Sequence, residues 1–431
     1  MAAAEEWAKR DAAVVWHGFT QMACYTDDGP VIVESAAGHE LIDVDGRRYL
    51  DAISSLWVTT LGHGVPELDQ AVRDQLERVA HSTMLGNGNR VTIELAEALA
   101  RVVPIDGPHF LFASDGAAAV EQALKIAFQY WVNRGVDGRT TYLAFGDAYH
   151  GDTVGALSVG AGGFGTSRFD PLRFPVLRAP GFGDPDCFHV AARLVAEHAH
   201  ELAAVVVEPL VQGAAGMQLA PPSAFAELAD ACHEHAVLLV CDEVATGFGR
   251  TGSLFASEQC GVRPDLMCLG KGLTGGYLPQ SVTVASQRVY DAFLGPDLSE
   301  QTLYHGHSYG GNALACAVAL RHLELLEERD VLANVRDRSD ELRALLNARV
   351  ASHPAVRAVR LQGLMGGIEL APPRDGLRWG RRVCAAAVER GVLLRPLGDV
   401  VVVMPPLTIT SPELRRIVGA LESAIDEVTA A

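Results

Sequence analysis

The feature that most constrains this chain is a series of short, continuously apolar runs between residues 109 and 271. They read HFLFAS (109–114), TYLAF (141–145), AAVVVEP (203–209), AVLLVCDE (236–243) and DLMCLGK (265–271). Unbroken apolarity, as opposed to alternation, marks strands buried on both faces. Helical patterns separate the runs, at 117–134 and 222–235, and another helix leads away from about 312. Strands of this kind joined by helices predict an α/β domain with a mainly parallel central sheet covered by helices.

The flanking regions read differently. Residues 30–53 alternate short strand-like segments with turns, and Asp45-Gly46 is a hairpin signal. Helical patterns follow at about 65–81 and 91–103. Residues 326–431 mix helices with short strands, a smaller α+β domain. The expected organisation is an N-terminal segment, 1–70, belonging with the small domain; a large ligand-binding domain, 71–325; and a small domain, 326–431. Residues 155–185, rich in Gly, Pro and Phe, are expected to form a long loop.

Charge excludes some partners. Lys and Arg number 35 against 53 Asp and Glu, a net charge of −18. Nothing in that balance favours nucleic acid or an anionic membrane. The eight cysteines include no CxxC pair and several lie in apolar runs, so buried reduced thiols are expected and no metal site. The start MAAAEEWAKR lacks a basic, apolar leader, so a cytoplasmic location is expected. Only three lysines are present, Lys9, Lys125 and Lys271. Chemistry needing a side-chain amine therefore has three candidates.

Three polar features lie where predicted strands end, the edge at which open α/β sheets bind ligands. Ser114-Asp115-Gly116-Ala117 opens a helix, where free N–H groups suit a phosphate; a plain Asp or Ser cap explains it as well. Asp242 ends an apolar run and needs a cationic or hydrogen-bonding partner. Lys271 ends another; an amine against apolar walls can act as a nucleophile, and a lysine whose head reaches solvent is the plain alternative. Lys9 lies in the polar start, and Lys125 follows Glu121 by four residues, the spacing of a helical ion pair. A phosphate cradle, a carboxylate and a nucleophilic lysine are together what pyridoxal 5′-phosphate requires.

The stretch Val240-Cys-Asp-Glu-Val-Ala-Thr-Gly-Phe-Gly-Arg250 with Pro264-Asp-Leu-Met-Cys-Leu-Gly-Lys271 resembles the signature of the class III, fold type I, pyridoxal-phosphate aminotransferases. The similarity runs from Trp16 to about Pro406. Within the family it is greatest to the branch that aminates 8-amino-7-oxononanoate in biotin synthesis. Trp16–Met22, Ser54–Trp57, Tyr149–Asp152, Glu208–Gly213, His305–Ser308, Arg395–Asp399 and Met404–Pro406 carry that closer likeness. The resemblance implies that Lys271 carries the cofactor as a Schiff base and that Asp242 pairs with the ring nitrogen. It implies Tyr149 and Val244 on the two ring faces and the backbone of Gly116 and Ala117 at the phosphate. Ser308 would reach the phosphate of a neighbouring subunit, which implies a homodimer with shared sites. Trp57 would pack on the acceptor's aliphatic chain and Arg395 would bind its carboxylate. Phe19, Asp152, Arg250 and Gly306 would be further pocket residues.

The resemblance implies ping-pong conversion of 8-amino-7-oxononanoate to 7,8-diaminononanoate, with S-adenosylmethionine as default donor. Departures leave lysine open as donor: Phe19 stands for a usual tyrosine, Leu56 for a tryptophan and Gly18 for a proline. Ala117 stands for a serine, and His307-Ser308 for Pro-Thr. Another class III reaction, on ornithine, 4-aminobutyrate or a β-amino acid, is the alternative.

Overall fold

The structure is a computed structural model that describes residues 2–161 and 165–430. Seven strands build the central sheet: β1 (His109–Ala113), β2 (Thr141–Phe145), β3 (Leu177–Ala179), β4 (Leu202–Val207), β5 (Leu238–Asp242), β6 (Leu266–Leu269) and β7 (Ser281–Ala285). Their order is β1-β7-β6-β5-β4-β2-β3. Only β7 is antiparallel to its neighbours; the pairs β6–β5, β5–β4, β4–β2 and β2–β3 are parallel.

Side chains alternate across this sheet with a period of two, and both faces are dry. Leu238 and Val240 pack toward the Gly116–Asn133 helix, with Ala123, Ala127 and Trp131 in the same cluster. Leu239 and Cys241 pack on the other face with Phe188, Phe225 and Leu228, from helices Cys187–His198 and Pro222–Glu234. Such fully buried aliphatic side chains contribute roughly 1.5–3 kcal/mol each, which is why these runs tolerate so few polar residues. The Gly116–Asn133 helix starts at Asp115, whose carboxylate accepts from the Ala118 N–H at 2.9 Å.

Strands Glu40–Asp43 and Arg48–Asp51 form the expected hairpin, and Gly46 takes the left-handed φ of +81° that its turn needs. Val392–Leu393 pairs parallel with Arg48–Asp51, so the two ends of the chain share one sheet. A second four-stranded antiparallel sheet joins Val356–Gln362, Met365–Leu370, Val400–Val403 and Arg395–Leu397.

Four expectations need correction. Residues 155–185 are not one loop: they hold most of the helix Val154–Val159, the 3-10 turn Thr166–Leu172 and β3, with 162–164 outside the described residues. Arg178 on β3 reaches the carbonyls of Ser158, Val159 and Gly160 and so closes that helix. Strand β7 was not expected, because Ser281 and Thr283 interrupt its apolar run; both hydroxyls are satisfied by backbone carbonyls of Asp115 and Ala119. Lys125 does not pair with Glu121. It reaches Tyr304 and His305, while Glu121 accepts from the Gly155 N–H. Seven of the eight cysteines are buried, but Cys24 is exposed. Among the described residues no helix is long and apolar enough to cross a membrane.

Glu243 anchors the loop that follows β5. Its buried carboxylate accepts from Thr246 Oγ1 (2.8 Å), Ala256 N (2.9 Å) and Ser257 N (2.7 Å). Glu243→Ala leaves those donors unpaired and is expected to cost about 2–4 kcal/mol. A thermal melt should show a clear fall in midpoint, with Glu243→Gln falling less because its amide oxygen still accepts.

Candidate active site

Strands β5 and β6 are adjacent and parallel, with Asp242 opposite Cys268. The chain leaves β6 through Gly270 and turns at Lys271, so Asp242 and Lys271 emerge side by side at the same sheet edge. A cavity of about 440 Å³ opens there. Its lining brings together Trp57, Gly116, Ala117, Tyr149, Asp152, Asp242, Val244 and Lys271.

Each wall has a local cause. Gly116 and Ala117 begin their helix with N–H groups that have no partner among the described residues. A Cβ on Gly116 would lie 2.6 Å from Val244 Cγ1, so glycine is the residue that leaves this cradle open. Trp57 and Lys271 both hold left-handed backbone, φ +66° and +40°. Such conformations cost a non-glycine residue roughly 1–3 kcal/mol and gather at functional sites. They bring Lys271 Nζ to 5.1 Å from the Trp57 ring centroid.

Asp242 is held from two sides. Its Oδ2 is 2.7 Å from His150 Nδ1, and its Oδ1 accepts from the Val244 N–H at 3.0 Å. Burial opposes charge on His150, but the bond and charge of Asp242 outweigh it and raise its pKa. The pairing favours the protonated ring of His150, which donates from Nδ1 to the Asp242 carboxylate. Burial lowers the pKa of Lys271, against the pull of Asp242 and Glu208. Burial, then Asp152, holds the Tyr149 phenol well above its usual range, so it stays protonated and donates to Asp152 Oδ2 at 2.9 Å.

Two residues to which no role was assigned belong to the site. His150 is buried in the same tetrapeptide as Tyr149, and its Nε2 has no partner among the described residues. Glu208 lines the cavity and accepts from Tyr149 N (3.3 Å) and Gly213 N (3.1 Å). Burial, reinforced by Asp242, pushes its carboxyl up to about 7. It ends an apolar strand just as Asp242 does, and that signal could have found it.

Other expected residues lie elsewhere. Arg250 is fully buried outside the cavity, donating to the carbonyls of Pro405 and Thr59. It braces the segment that carries Trp57. Phe19 is 62% exposed, and Gly306 and Ser308 lie in a surface arm; none lines this cavity. Arg395 is half-buried, its charge offsets a small part of the rise in the Tyr149 pKa, and among the described residues its guanidinium has no hydrogen-bond or ion-pair partner. Next to it, Leu397 and Gly398 line a second hollow of about 410 Å³ that shares Tyr149, Gly151 and Ala214 with the first.

The chain matches the family described as aminotransferase class-III over residues 22–425. It belongs to the class III aminotransferases. It is 47% identical to the adenosylmethionine-8-amino-7-oxononanoate aminotransferase of Nitratidesulfovibrio vulgaris, over 97% of this chain and 81% of that protein. The enzyme of that name from Anoxybacillus flavithermus is 40% identical over 100% and 98%. The crystal structure of the Methanocaldococcus jannaschii enzyme of that name superposes with a TM-score of 0.94 at 39% identity, covering 99% of both chains. An amine transaminase from an uncultivated Pseudomonas species, solved with bound pyridoxal phosphate, gives 0.90 at 32%, over 96% of this chain and 99% of that one. The fold is therefore fold type I, and this class III aminotransferase uses pyridoxal 5′-phosphate. The unpaired N–H groups of the cradle, the fixed carboxylate and the buried lysine fit that cofactor.

Glu208 makes a pH prediction. Its folded pKa of about 7 exceeds the ordinary 4.5, so its contribution to stability is full below pH 4.5 and is lost as pH rises toward 7. The cofactor-free protein should lose thermal stability across that window more steeply than Glu208→Gln. Parallel curves for the two proteins would show that Glu208 does not titrate there.

Proposed function

We propose that this aminotransferase converts 8-amino-7-oxononanoate to 7,8-diaminononanoate, the amination step of biotin synthesis, with S-adenosylmethionine as amino donor. The observation that carries the reading is Arg395: a half-buried guanidinium with no hydrogen-bond or ion-pair partner among the described residues, near enough to Tyr149 for its charge to be felt there, in a chain whose near-full-length relatives carry that enzyme's name. A planar fork of donors suits the acceptor's distal carboxylate. Trp57, over Lys271, packs on its aliphatic chain.

When bound, pyridoxal 5′-phosphate supplies a carbonyl that exchanges between amines and a ring that accepts electrons. The Gly116 and Ala117 N–H groups hold its phosphate. Tyr149 and Val244 would hold the ring faces, and Asp242 would hold the ring nitrogen. Lys271 would anchor the group through its Nζ, which a donor amine would free. Its Nζ then takes the donor's α-proton and, in the second half-reaction, returns a proton to the former carbonyl carbon of the acceptor. Burial favours the neutral amine that such work needs. Asp242 cannot drift, because His150 and the Val244 N–H hold both its oxygens. Asp152 orients the Tyr149 hydroxyl.

Ser308, exposed beside exposed Tyr304 and Tyr309, serves the phosphate of a second copy, making the enzyme a homodimer with shared sites. A cytoplasmic location accords with its substrates. The donor is the finer point. Phe19 and Leu56, both exposed here, replace residues associated with S-adenosylmethionine, which favours lysine as the second reading.

Arg395→Ala should raise KM for 8-amino-7-oxononanoate roughly 10–100-fold, the loss of a charge-assisted pair, with the bound-cofactor absorbance unchanged. An unchanged KM would remove Arg395 from acceptor binding. Lys271→Ala should abolish turnover in the same assay. Loaded enzyme mixed with S-adenosylmethionine alone should bleach its yellow band. Bleaching only with lysine selects the second reading, and bleaching only with ornithine or 4-aminobutyrate rejects the proposed reaction.

A further inference from the structure

The helix that ends at the phosphate cradle does a second job along its flank. Lys125, Gln129 and Asn133 follow one another at intervals of four on the Gly116–Asn133 helix, so they lie in line. All three grip the same irregular segment. Gln129 Nε2 lies within bonding distance of the Glu300, Gln301 and Thr302 carbonyls, at 3.3, 3.3 and 3.1 Å. Asn133 Nδ2 donates to Gln301 O at 3.2 Å. Lys125 Nζ donates to Tyr304 O at 3.3 Å and to His305 Nδ1 at 3.1 Å.

The arm continues under control to its tip. The Tyr309 N–H donates to His307 Nδ1 at 3.1 Å, which leaves the proton of the neutral ring on Nε2. That Nε2–H donates to Ser114 Oγ at 3.1 Å, in the turn that opens the cradle. His81 Nε2 holds the Ser308 carbonyl at 2.7 Å. The Ser308 hydroxyl has no partner among the described residues, and the residue is exposed. Ordering a segment without regular secondary structure costs about 1–2 kcal/mol per residue in backbone entropy, so the arm keeps one shape only while these bonds hold it.

We propose that Lys125, Gln129 and Asn133 are positioning residues that hold the 300–308 arm so that Ser308 meets the cofactor phosphate of a second copy of this chain. The inference rests on the reading of Ser308 given above. One helix then serves two sites: its N-terminus receives its own phosphate, and its flank aims a hydroxyl at the other.

The test compares affinities of the cofactor-free protein for pyridoxal 5′-phosphate and for pyridoxal, which lacks the phosphate, by fluorescence titration. Ser308→Ala and Gln129→Leu should each weaken pyridoxal 5′-phosphate binding roughly tenfold, the worth of one hydrogen bond to a charged acceptor. Pyridoxal binding should not change. The double variant should be no weaker than Ser308→Ala alone, because both remove the same contact. Lys125→Met, which touches the arm at a second point, should act in the same direction. If Ser308→Ala has no effect, the reading of Ser308 fails and the inference falls with it. If Ser308→Ala weakens binding but Gln129→Leu and Lys125→Met do not, the positioning inference fails while the shared site stands. Equal losses for pyridoxal, or additive losses in the double variant, would make the stripe a general structural support and overturn the proposal.

Discussion

Everything at this site depends on the parallel pairing of β5 with β6. Two fully apolar strands lie side by side and end in Asp242 and, one turn later, Lys271. The pairing register sets the spacing of carboxylate and amine before any ligand arrives. A slip of one residue would turn Asp242 to the opposite face of the sheet. The dry cores on both faces oppose such a slip, so the energy that holds Asp242 and Lys271 in place comes largely from residues outside the cavity.

Burial also sets the electrostatics. His150, Glu208, Asp242 and Lys271 sit together in a water-poor pocket where each charge is felt by the others. Burial pushes the lysine toward its neutral form and Glu208 toward protonation, while Asp242 raises the pKa of His150. The result is a carboxylate fixed in position at Asp242, a buried amine three residues beyond the neighbouring strand's pairing point, and an ionisable carboxyl near neutrality at Glu208. Arg250 adds mechanical support, tying the Thr59 and Pro405 carbonyls behind the wall that carries Trp57.

Much of this was legible in the sequence because apolar runs make a terminal charge conspicuous. Asp242 and Lys271 stood out for that reason, and Glu208 ended its strand with the same signal unused. His150 was hidden beside the more informative Tyr149. Arg250 lies in a motif next to the site, and only the fold shows that its guanidinium faces backbone carbonyls instead of the cavity. Lys125 illustrates a limit of helical spacing: Glu121 stands four residues away, yet both side chains find better partners in segments distant in the chain. Strand β7 and the elements within 155–185 depend on hydroxyls and an arginine satisfied by remote carbonyls, which no local pattern reports.

The central claim is that Lys271, of three lysines, is the one the fold activates. Borohydride reduction of the loaded enzyme, followed by peptide mapping, fixes the cofactor to whichever amine carries it. The account predicts the label on the peptide containing Lys271 and on no other. Label at Lys125 or Lys9, or no covalent label in an enzyme that still turns over, would contradict it.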